Sequence, residues 1–148
     1  MNGSQTVNIL LIVSLIGALA ACASPSPDSV LGGSEAQLKN RSMQTRVFET
    51  SDRQLVLRSI IATLQDTGFM IEQADATLGT VSARKFILDR DMPRDIRMMV
   101  TVQPRDSKRI LVRANAEFNN KPVDDPVAYQ NFFVALAKAL FLTAQQAD

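Results

Sequence analysis

A chain of 148 residues with 16 Lys and Arg against 15 Asp and Glu has a formal net charge of +1, too balanced for nucleic acid or an anionic surface to be its main partner. Histidine is absent, which removes Ser-His-Asp and Cys-His catalysis and imidazole-ligated zinc. Tryptophan is absent and Tyr129 is the only tyrosine, which argues against an aromatic platform for sugars or bases.

The chain opens on a polar stretch, then an apolar run from Ile9 to Ala21, then Cys22, the only cysteine. The run is too short to span a bilayer, which takes roughly 20 apolar residues. Its order of polar start, apolar core and small residues is that of a secretory signal. No Lys or Arg precedes Val7, a departure from that pattern. Leu19-Ala20-Ala21-Cys22 resembles the lipobox of bacterial lipoproteins. The resemblance implies cleavage before Cys22, a covalent lipid on its thiol and acylation of its freed amino group. Each buried methylene contributes about 0.8 kcal/mol, so two or three chains anchor stably where one does not. Ala23 rather than Asp follows the cysteine, which in that family implies the outer membrane. A lipidated Cys22 leaves no thiol for disulfides, catalysis or metal.

Residues 1–21 are therefore expected to be a signal peptide and 22–43 a lipidated cysteine with a flexible tether. The tether is rich in Pro, Ser and Gly, cannot bury enough apolar surface to order itself, and reaches about 25 Å if flexible. Residues 44–148 are expected to be one periplasmic domain.

Within it, Gln44 to Thr50 predicts a short first strand. Ser51 and Gln54 form a capping-box pattern, and Leu57, Ile60, Ile61 and Leu64 share one face, predicting a helix over 52–67 that stops at Gly68. Phe69–Ala74 and Thr80–Ile87 predict a hairpin turning at Asp75–Gly79. Leu88 to Asp95, with Pro93, reads as a charged connection. Ile96–Val102 and Ile110–Phe118 alternate with period two, as in an antiparallel sheet covered on one face. Asp125-Pro126 opens a last helix running to about residue 145, with Tyr129, Phe132, Phe133, Leu136, Leu140 and Phe141 in its apolar stripe. The order is β-α-β-β-β-β-α: an α+β, helix-grip-like fold with one mostly antiparallel sheet and two helices packed on one face.

Leu64, Gly68, Phe69, Asp75, Gly79 and Val81 mark a helix, a Gly-Phe pair, a strand, a Gly turn and a strand. This unit resembles the domains of the BamC family, lipoprotein accessories of outer-membrane β-barrel assembly. The resemblance implies an envelope complex as partner and brings no catalytic residue with it.

The densest charges are Arg84, Lys85, Asp89, Arg90, Asp91, Arg94, Asp95 and Arg97. They form a binding loop or, the preferred reading, a solvated loop of mixed sign. A calcium reading of Asp89, Asp91 and Asp95 fails the EF-hand spacing, since Val100 stands where a bidentate Glu is needed. Asp124-Asp125 reads as a helix cap, because adjacent carboxylates seldom converge. By strand phase, Arg97, Met99, Leu111 and Arg113 share the sheet face away from the helices, a candidate partner surface. The aromatic stripe reads as core, with a lipid cavity between helix and sheet as the alternative. The sequence thus predicts a non-catalytic interaction module on the periplasmic face of the outer membrane, with no cofactor or metal beyond the lipid on Cys22. The rival reading is a periplasmic carrier for a small apolar or lipid ligand.

Overall fold

The computed structural model describes residues 35–146. Cys22, the signal segment and the tether as far as Ser34 lie outside the described residues.

The described chain begins with helix α1 (Glu35–Met43), followed by strand β1 (Thr45–Phe48) and helix α2 (Arg53–Asp66). Strands β2 (Met70–Asp75), β3 (Thr80–Asp89), β4 (Met92–Pro104), β5 (Ile110–Phe118) and the two-residue β6 (Lys121–Pro122) come next, and helix α3 (Pro126–Gln146) closes the order. The sheet runs β1-β5-β4-β3-β2, with β6 on β5, and every pairing is antiparallel. The fold is α+β, as the patterns require.

Period-two alternation sends Val81, Ala83, Met98, Val100, Val102, Ile110, Val112 and Ala114 to one face, where all are buried. Val56, Ile60 and Leu64 of α2 and Tyr129, Phe133 and Leu136 of α3 cover them. By length and apolarity α3 passes as a membrane span, but its buried stripe makes it the core helix of the domain. Phe141, expected in that stripe, is 62% exposed. Five residues past Leu136 it has turned well off the core-facing side.

Helix α2 is capped by Asp52 rather than by Ser51. The Asp52 carboxylate accepts the Leu55 N–H at 2.8 Å, while the Thr50 hydroxyl accepts the Asp52 N–H at 3.1 Å. Asp52 is the residue with extended backbone one step before the first helical turn, where a side-chain acceptor can reach an orphan N–H. The helix ends as its glycine requires. With Gly68 at φ +85°, its N–H reaches the Gln65 carbonyl at 2.9 Å and the Phe69 N–H reaches that of Leu64 at 2.9 Å, a Schellman closure.

Two further expectations need correction. The tether segment orders earlier than its composition implied: Pro and Gly end at Gly33, and Glu35 to Met43 is helical, with Glu35 in the first turn and Arg41 in the last, favourable signs at both ends of the helix dipole. The charged connection is not a loop. β3 and β4 continue to a two-residue turn in which Arg90 and Asp91 take φ of 50° and 63°, the primed geometry that suits twisted strands. Pro93 is tolerated there because it faces Leu88 one pair in from the turn. That register leaves its nitrogen pointing away from β3, on a stretch that β5 does not reach. β2 pairs no further than Arg84 and β5 no further than Ile96, so the hairpin tip projects as a two-stranded arm with Phe86, Leu88 and Met92 exposed.

Candidate functional site

The face of the sheet opposite the helices is uncovered by any described element that packs across it, and strand register decides which residues it shows. Arg97 lies opposite Glu117, Met99 opposite Asn115, Thr101 opposite Arg113 and Gln103 opposite Leu111. The expected residues Arg97, Met99, Leu111 and Arg113 therefore do share this face. They run diagonally along the β4–β5 ladder, from Arg97 and Met99 to Arg113 and Leu111, with Met99 and Arg113 on successive outward-facing pairs.

Two shallow grooves result. The first, of about 530 Å³, is lined by Glu72, Ser82, Arg97, Met99, Asn115 and Glu117 among others. The second, of about 390 Å³, is lined by Arg41, Thr45, Thr101, Gln103, Leu111, Arg113 and Asn115. Asn115 belongs to both and joins them. Met99 is 52% exposed, a large apolar side chain standing in water beside charged neighbours.

The electrostatics of the two grooves differ. Beside the first, Arg84 sits between Glu72 at 3.1 Å and Asp95 at 3.4 Å, and Asp95 also holds Arg97 at 3.0 Å. The Arg84 Nε is close to both carboxylates without being aligned on either. Half-exposed pairs of this kind add roughly 0–1 kcal/mol each to stability, so their main effect is to hold Arg97 in place at the groove wall. No carboxylate lines the second groove, which holds Arg41 from α1 and Arg113 from β5. The Arg113 Nε is buried with no hydrogen-bond partner among the described residues. A guanidinium at the wall of a groove without carboxylates is suited to a carboxylate or phosphate.

Three of the acidic candidates, Asp89, Asp95 and Asp125, have structural roles. Asp89 lies 3.4 Å from Arg94, and Asp95 serves Arg84 and Arg97. Asp125 accepts the Val127 N–H at 2.9 Å, which caps α3. In the β4–β5 turn, a hydrogen bond from the Arg109 guanidinium and another from the Lys108 backbone hold the Asp106 carboxyl below its usual range, while the same carboxylate raises Arg109. That pair lies outside both grooves. Among the described residues no group of three His, Cys, Asp or Glu is placed to hold a metal ion.

Sequence reasoning missed Arg41, because α1 lies in a segment with no periodic pattern. Asn115 and Glu117 were available from the β5 alternation that placed Arg113. Compared with known proteins, the chain matches no family model and no curated protein.

Proposed function

We propose that the chain is an outer-membrane lipoprotein, anchored through lipid on Cys22, whose periplasmic domain is a non-catalytic interaction module of an envelope complex. The observation that carries the reading is the open sheet face, with an exposed Met99 in one groove and Arg41 and Arg113, without a carboxylate in the lining, in the adjoining one. An apolar contact beside guanidinium groups suits a protein partner that presents a carboxylate next to an apolar side chain. The lipobox and the likeness to BamC-family domains support the location and the kind of complex.

Crosslinking of the acylated protein in its own membrane tests the module. The double variant Met99→Asp with Arg113→Glu is expected to keep its circular dichroism and to lose the captured envelope protein at least tenfold; retention of the same partner at the same yield would overturn the proposal. The anchor has its own test. Cys22→Ser is expected to abolish incorporation of labelled palmitate and to release the protein from the membrane fraction, and continued acylation would refute the lipoprotein reading.

A further inference from the structure

The helices do not cover the sheet completely on their own side. α2 stops at Asp66 and α3 begins at Pro126, and between these ends the core face of β4 and β5 is left open over a cavity of about 600 Å³. Its walls are Phe69, Ile96, Met98, Phe118, Val123 and Phe132, almost wholly carbon. This size lies inside the roughly 300–1,000 Å³ range of small-molecule sites, which are likewise mostly apolar with a few polar groups at fixed places. An apolar hollow left unfilled forfeits the dispersion contacts a packed core would gain there.

The walls are pinned rather than loose. The Schellman closure fixes Phe69 at the end of α2, and Lys85 donates to the Thr67 carbonyl at 2.7 Å while its ammonium lies 5.8 Å from the Phe69 ring centre. On the far side the Tyr129 hydroxyl donates to the Val123 carbonyl at 3.0 Å. A hollow held open by hydrogen bonds on two sides is preorganised, which lowers the ordering cost of filling it.

The rim supplies the rest of the specificity. Lys121 and Asp124, from the same short connection, both border the cavity, and neither side chain makes an ion pair among the described residues. One free cation beside one free anion disfavours a head group of single sign, since either charge would face its like. A zwitterionic head satisfies both. We infer that this cavity binds a single-chain amphiphile with a zwitterionic head group: the acyl chain lies against Phe69, Phe118 and Phe132, the phosphate meets Lys121 and the ammonium meets Asp124. The cavity shares Met98, Ala116 and Pro122 with the first partner groove, but neither Met99 nor Arg113 is in its wall.

The full chain in a maltoside detergent, titrated with 1-palmitoyl lysophosphatidylethanolamine and separately with the neutral 1-palmitoyl glycerol, tests this by native mass spectrometry. One zwitterionic lipid per chain is expected, bound at least fivefold more tightly than the glyceride. Ala128→Trp, an exposed position of α3 on the cavity wall, is expected to fill the hollow and weaken binding at least tenfold with an unchanged thermal midpoint. Lys121→Glu, at the surface, is expected to abolish the preference for the zwitterion while leaving the glyceride affinity as it was. The Met99→Asp, Arg113→Glu double variant should bind lipid like the parent. Absence of any adduct on the parent chain, undiminished binding by Ala128→Trp, or a preference that survives Lys121→Glu would each overturn the inference.

Discussion

Gly79→Ala is expected to lower the unfolding free energy by about 2–4 kcal/mol, because a left-handed backbone costs an L-residue roughly 1–2 kcal/mol before any clash is counted. Gly79 has φ +74°, and a methyl group added there would stand 2.5 Å from the Val102 carbonyl oxygen and against the Arg53 guanidinium. The carbonyl is the harder obstacle. Val102 donates its N–H to the Gly79 carbonyl at 2.8 Å, so glycine and strand cannot separate without losing that bond. Arg53 can swing away only by giving up its 2.9 Å bond to the Thr77 carbonyl. Urea titration is the measurement: the midpoint should fall at unchanged slope, and a loss under about 1 kcal/mol would show that the turn relaxes freely.

Tyr129→Phe is expected to cost a similar amount, about 2–4 kcal/mol, since each buried polar group left without a partner costs roughly 1–3 kcal/mol. Tyr129 is 1% exposed, and its hydroxyl is fully used. It accepts the Ala116 N–H at 3.1 Å and the Gln44 amide at 3.3 Å, and donates to the Val123 carbonyl at 3.0 Å. Ala116 lies just past the end of β1, where no strand is present to take its N–H, and the hydroxyl stands in for the missing neighbour. The ring itself is retained in phenylalanine, so the effect isolates the hydroxyl. Loss of the Val123 bond also frees one wall of the cavity, and the variant should bind the amphiphile less tightly than its lowered stability alone requires. Thermal denaturation with and without lipid separates the two effects.

Much of the fold is legible in the residues because the relevant signals are local. Alternation in Ile96–Val102 and Ile110–Phe118 assigns each side chain to a face, and this is why strand phase alone puts Arg97, Met99, Leu111 and Arg113 on the same side of the sheet. Gly68 and Asp125-Pro126 mark helix ends whose chemistry allows few alternatives. The hairpin arm is not legible, since Arg90 and Asp91 adopt positive φ without the glycine that usually announces it, and Pro93 and five charges imitate a loop. Phe141 follows the buried Leu140 but is turned off the core-facing side, a difference that a broad apolar stripe does not reveal. The cavity has no local signal at all: it exists because α2 and α3 stop where they do over β4 and β5. Tyr129 reads as part of an apolar stripe, but two of the groups that meet its hydroxyl, on Ala116 and Gln44, come from other strands and segments of the chain.

The pairing of β1 with β5 carries a consequence for the order of assembly. β3 and β4 meet through a two-residue turn and can close early, whereas β1 must find β5 across the widest sequence separation of any strand pair, at the greatest loop-closure cost. Most of the Arg97 and Met99 groove is supplied by β3, β4 and β5, which follow one another in the chain through short turns. The groove that combines Arg41 and Thr45 with Arg113 is complete only when the last strand has docked. A partner that requires both arginines would thus recognise finished molecules and pass over those still folding.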